Sequence, residues 1–191
     1  MKIVLIHGFN VKDNGKGSID RIVAPLVKRL PDAHFDMDSA DYGWHFLFRV
    51  HFFYWFGGTI KRIAKALENA DIVITHSNGA NYCMKAVKRI KNLDLHIIHL
   101  SPALNATYPY RRRKFRRCDV LHTLYDSIVG ISRYIPFHPW GNAGQAGAKT
   151  KDNRVENHNF TKHISGHSDW FLDENREMVA DYIATLIEAK Q

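Results

Sequence analysis

The sequence offers little sulfur chemistry. Two cysteines in 191 residues, Cys83 and Cys118, make no disulfide framework, and neither belongs to a C-x-x-C pair, so reduced thiols are expected. Long apolar runs are missing as well. The opening carries only Ile3, Val4, Leu5 and Ile6 before His7-Gly8, too few for a signal-peptide core or a membrane span. The expectation is therefore a cytoplasmic protein without a transmembrane segment. Internal repeats and dividing linkers are absent too. What is present, 45% hydrophobic and 24% charged residues, is the balance of a globular chain and excludes a disordered or collagen-like one. The length suits a single domain over residues 1–191.

The net charge is +8, but residues 111–117 hold six Lys and Arg, which leaves +2 for the rest of the chain. Basicity confined to one run reads as a solvated loop. Two sharper readings stay open: guanidinium groups that recruit an anionic substrate or surface, and a nucleic-acid module that adds Tyr108 and Tyr110 as stacking platforms.

Residues 2–6 form a short β-branched run that ends at Gly8 and predict a buried strand. Ile19, Ile22, Val23, Leu26 and Leu30 have helical spacing, with Ser18 as the expected N-cap and Pro25 marking a kink or late start. Further helices are expected from Ile60, Ile63, Ala64 and Leu67, and from Ala80, Cys83, Met84, Val87 and Ile90. Residues 71–75 and 95–100 read as strands, and 119–124 as a weaker one. The glycines around 141–147 suggest irregular chain. A last helix carries Met178, Val179, Tyr182, Ile183, Leu186 and Ile187 on one face. Strands that alternate with helices imply a mostly parallel sheet between two helical layers, an αβα sandwich of the α/β class.

Residues 72–80 run a strand straight into a helix through Ser77-Asn78-Gly79. A serine on such a sharp turn projects outward, and Gly79 meets the need for a small residue where strand and helix crowd each other. Thr75 stands where the common G-x-S-x-G pattern has its first glycine, and is expected to over-fill the turn slightly. Here the chain resembles the α/β-hydrolase superfamily. His7-Gly8-Phe9 after the first strand looks like that family's oxyanion turn, which implies the backbone N–H groups of Phe9 and Asn78 as oxyanion donors. The family order of nucleophile, acid, histidine implies Ser77, Asp126 and His167, separated by 49 and 41 residues. Those intervals are short for the family, so a minimal fold with little or no cap domain is implied.

A serine hydroxyl needs a base, an imidazole titrates in the right range, and a carboxylate fixes its tautomer. The implied activity is hydrolysis of a small-molecule carboxylic ester or thioester through an acyl-enzyme, without a cofactor. The substrate would be anionic if the arginine run recruits it. His7, Gly8 and His76 would line the substrate site. Trp44 would join them if the eight aromatics within residues 44–56 form a pocket wall and not simply core.

Each piece has a plainer reading. Ser77 and Asp126 could cap the helices that follow them, and Asp119 and Asp94 compete as the acid. His163 and His167 are spaced like helical metal ligands, but Gly166 and the absence of a completing Cys or carboxylate pattern argue against a metal. Gly8 and Gly15-Lys16-Gly17 fail the spacing of a phosphate loop. An inactive hydrolase-like binding protein and an anion-binding module remain as alternatives.

Overall fold

Six parallel strands form one sheet in the order β2-β1-β3-β4-β5-β6. They are β1 (Lys2–Ile6), β2 (His34–Asp36), β3 (Ile72–His76), β4 (His96–Leu100), β5 (Arg117–His122) and β6 (Val155–Asn159). The computed structural model describes residues 1–9, 11, 15–42, 58–132, 134–135 and 140–189. Trp44 and the aromatic cluster of residues 44–56 lie outside them.

The strands alternate strictly between two buried faces, as the two-residue period of a strand requires. Ile3, Leu5, Ile72, Ile74, Ile98 and Leu121 meet helices α1 (Val23–Arg29) and, near the C-terminus, Asp173–Glu188. Val4, Ile6, Val73, Ile97, Cys118 and Val120 meet α2 (Gly58–Glu68) and α3 (Gly79–Ala86). Two short helices, α4 (Ser127–Ser132) and α5 (Ala143–Ala146), follow β5, and the C-terminal helix is α6. The chain is thus a three-layer α/β sandwich with an all-parallel sheet. No helix among the described residues is long and apolar enough to cross a membrane.

Several expectations need correction. The Ser18 side chain caps nothing. Its backbone N–H is held by Asp20 Oδ1 at 2.8 Å and a 3-10 turn occupies Ile19–Ile22, whereas the late start expected from Pro25 is found, with that proline in the first turn of the α-helix. The stretch expected to be irregular contains α5, one helical turn. Strand β5 begins at Arg117, two residues early, and so takes in the last arginine of the basic run. Strands β2 and β6 carried no recognisable signal. The first has three residues, and the second, Val-Glu-Asn-His-Asn, is a polar edge strand.

Strand order reverses beside β1, with β2 on one side and β3 on the other. In an open parallel sheet the crevice outside the strand ends at such a reversal is where ligands bind. His7, Gly8 and Phe9 leave β1 there, and Ser77 leaves β3.

Candidate active site

Ser77 sits in the left-handed region, at φ +52°, a conformation that a non-glycine residue keeps only when its surroundings enforce it. Two backbone bonds to the neighbouring strand's exit enforce it: Ser77 N–H to Leu100 O and Ala103 N–H to Ser77 O, both 3.0 Å. Gly79 completes the turn. A Cβ there would lie 2.5 Å from the carbonyl oxygen of His7 and 2.6 Å from that of Ile6, so β1 and α3 approach too closely for any side chain.

Ser77 Oγ is 2.8 Å from His167 Nε2, and His167 Nδ1 is 2.9 and 3.0 Å from the two oxygens of Asp126. Asp126 is fully buried and also accepts the Val129 N–H at 3.0 Å, so its carboxylate caps α4 while it holds the imidazole. Ser77, Asp126 and His167 are thereby brought together. With Nδ1–H directed at the carboxylate, Nε2 is left to accept the serine proton, which is what a general base needs. The competing acids are elsewhere. Asp94 is exposed, and Asp119 is buried among His96 (2.5 Å), His158 (2.7 Å) and Arg117 (2.5 Å).

His76 packs beside His167 with ring centroids 4.7 Å apart, and its Nε2 donates to the His167 carbonyl at 3.1 Å. Burial first, and then the neighbouring His167, hold its pKa well below the usual histidine range, so the ring is neutral at physiological pH. His7 braces the opposite turn. Its Nδ1 is 2.7 Å from Gly8 O, its Nε2 is 2.7 Å from Asp41 Oδ1, and its ring stacks on Tyr42 at 4.2 Å. Among the described residues, the backbone N–H groups of Phe9 and Asn78 have no acceptor, and both residues border the same cleft as Ser77.

Ser77 lies between two clefts. One, of about 390 Å³, is walled by Phe9, Ala103, Ile128, Val129, Ile131, Ile135 and Trp140. The other holds His167 and His76 together with Lys16, Ser18 and Phe171. Sequence reasoning missed the apolar cleft and the role of Trp140, whose Nε1 donates to Asn78 Oδ1 at 2.7 Å. It also missed that Gly144 lets α5 rest on the site: a Cβ there would lie 2.7 Å from the Ser101 carbonyl carbon and 3.0 Å from Asp126 Oδ2.

Thr75 is fully buried at the end of the strand that leads into the turn. Its Oγ1 lies 2.6 Å from Nδ1 of buried His99 across the β3–β4 ladder.

The basic run lies at the other edge of the sheet. Arg117 starts β5 in register with His96, the first residue of β4, and its Nη2 bridges Asp119 and Glu156. Tyr110 is fully buried, and the half-buried Tyr108 accepts from Arg113 at 2.8 Å through its hydroxyl and has the same guanidinium 5.2 Å from its ring centroid. Asp119, Glu156 and His158 form a grouping of metal-ligand type, but the Arg117 guanidinium already occupies the cation's place between the two carboxylates.

No family model matches the chain, and no curated protein does. Solved structures do. A predicted CIB-like hydrolase from Thermoplasma acidophilum is 14% identical with a TM-score of 0.50, over 96% of this chain and 86% of that one. A protein named for the α/β-hydrolase superfamily from Xanthomonas campestris pv. campestris is 12% identical with a TM-score of 0.48, over 98% of both chains. A YdeN-like protein from Pectobacterium atrosepticum, also named as a hydrolase, is 16% identical with a TM-score of 0.45, over 97% and 91%. The Thermoplasma likeness is one of fold, the three-layer α/β sandwich with its all-parallel sheet.

Proposed function

We propose that this chain is a serine hydrolase that cleaves a carboxylic ester or thioester through an acyl-enzyme on Ser77. The observation that carries the reading is the continuous hydrogen-bonded chain from Ser77 Oγ through His167 to the buried carboxylate of Asp126. A structural N-cap serine would require neither the strained turn nor a buried acid behind the imidazole.

As Ser77 Oγ attacks the substrate carbonyl carbon, His167 Nε2 takes the hydroxyl proton and the carbonyl π pair moves onto oxygen. Asp126 keeps Nδ1–H oriented and balances the imidazolium. The N–H groups of Phe9 and Asn78 receive the oxyanion, a contribution worth roughly 100-fold or more in turnover per donor. Collapse of the intermediate expels the alcohol or thiol, which takes the proton from His167. Water, deprotonated by the same imidazole, then attacks the acyl carbon and releases the acid, restoring Ser77. Because His76 stays neutral, it adds no positive charge beside the imidazolium, while its bond to the His167 carbonyl steadies the loop that carries the base. His7 and Gly8 shape the turn that presents Phe9. The compartment on this reading is the cytoplasm, in keeping with two buried, unpaired thiols.

A fluorophosphonate probe tests the proposal. Wild-type protein should be labelled and folded Ser77→Ala should not. A folded wild type that neither reacts with the probe nor cleaves p-nitrophenyl acetate would overturn it and leave the hydrolase-like binding protein as the better account.

A further inference from the structure

The two clefts beside Ser77 differ in chemistry, and the position of the base says which part of a substrate each receives. His167 must hand its proton to the leaving group, so the leaving group departs through the cleft that contains His167, Lys16 and Ser18. The oxyanion faces the N–H groups of Phe9 and Asn78. The acyl substituent is then left with the remaining direction, into the cleft walled by Ala103, Val129, Ile131, Ile135 and Trp140.

Among the described residues, that cleft contains no charged side chain; its polar members are Ser77, Asn78 and Ser132. Its mouth is apolar as well. Ile128 and Ile131, on α4, are 60% and 66% exposed, an arrangement that leaves large aliphatic side chains in water unless something covers them. Trp140 is held as a rigid wall, its indole N–H on Asn78 Oδ1 and its ring 5.4 Å from that of Phe9. Among the described residues an ammonium or carboxylate on the acyl group would find no charged partner in this cleft, and an unpaired charge in an apolar site is strongly disfavoured.

We infer that the substrate is an ester or thioester of an uncharged, apolar acid of medium length, whose chain lies between Trp140 and α4. This inference rests on the proposed serine hydrolase reading and narrows it to a substrate class. It separates the protein from hydrolases of aminoacyl or dicarboxylic monoacyl esters. Burial of each added methylene is worth about fourfold in kcat/KM until the cleft is filled.

The test is a series of p-nitrophenyl esters, acetate, butyrate, hexanoate, octanoate, hemisuccinate and glycinate, assayed with the full chain and with Ser77→Ala as blank. Expected is a rise of at least tenfold from acetate to butyrate or hexanoate, with hemisuccinate and glycinate below butyrate. Ile131→Asp, on the exposed side of α4, should lower the hexanoate-to-acetate ratio by tenfold or more, and Ile131→Leu should retain it. A flat or falling chain-length profile, or a preference for either charged acyl group, would overturn the inference while Ser77-dependent cleavage upheld the parent reading. An unchanged hexanoate-to-acetate ratio in Ile131→Asp would overturn it too. No Ser77-dependent cleavage or labelling with any ester would remove both.

Discussion

Thr75 and His99 face each other across β3 and β4, and the threonine hydroxyl lies 2.6 Å from the imidazole Nδ1 with both side chains fully buried. The bond supports the strand from which Ser77 departs. Removing one partner leaves the other desolvated and unpaired, which costs about 1–3 kcal/mol. Thr75→Val and Thr75→Gly should each lower the urea midpoint, and Thr75→Ser should restore most of the loss. A Thr75→Gly protein as stable as wild type would show that the bond contributes nothing.

Buried neutral histidines make the fold acid-sensitive. Burial pushes the His99 pKa down to about 3, and His76 is also held low, whereas an unfolded histidine titrates near 6.5. Below pH 6.5 the unfolded chain therefore binds protons that the folded chain refuses, so stability falls as pH drops from about 6.5 towards 3. The slope is on the order of 1.4 kcal/mol per pH unit for each histidine. Denaturant midpoints measured between pH 7 and pH 4 should show this decline, and His99→Gln, which keeps a partner for Thr75, should flatten it.

Asp126 performs two tasks that one substitution can separate. Asn caps a helix about as well as Asp, so Asp126→Asn should keep the stability of α4 while removing the carboxylate from His167. Turnover should fall by several orders of magnitude, on the order of 10⁴-fold where the imidazole tautomer is left wrong, with the melting temperature little changed. Greater loss from Asp119→Asn in a folded protein would mean that the acid is misassigned.

The basic run should be silent in ester kinetics. From Arg117 to the carboxyl edge of β5 is a six-residue strand, or roughly 20 Å, about twice the screening length at physiological salt. Arg112→Gln with Arg116→Gln should leave kcat/KM unchanged for neutral and anionic esters alike. Salt-sensitive loss confined to anionic esters would show that the run steers substrate, and tight, salt-dependent nucleic-acid binding by the wild type would favour an anion-binding module.

Gly79→Ala should be severely destabilising, because its methyl group would collide with two backbone carbonyl oxygens that cannot rotate away. Purified protein from this variant should be unfolded or have a melting temperature many degrees lower.

The central strands were legible because β1, β3 and β4 are β-branched runs buried on both faces, each punctuated by glycine or a turn. Strand β6 was hidden because its partner is one neighbouring edge and its side chains face polar surroundings. The order of Ser77, Asp126 and His167 along the chain suggested their association, and the structure sets them within hydrogen-bond reach. Nothing local signalled the apolar cleft. Phe9, Ala103, Ile131 and Trp140 come from four separate loops or helices and share no motif, so only the folded sheet brings them together. The bond from Thr75 to His99 was not legible because a sequence pattern records what occupies a turn and not what lies on the adjacent strand.

The segment from Trp140 to Gly144 touches the wall of the apolar cleft, the neighbour of the nucleophile and the buried acid within five residues. Changes there should show strong epistasis. A substitution that reshapes substrate preference through Trp140 also shifts Asn78, and one that moves α5 disturbs Asp126, so pairs of individually mild variants in this segment should combine to losses well beyond their sum. Diversification of specificity in relatives built on this plan is then easier along α4, whose Ile128 and Ile131 lie largely exposed where they border the cleft.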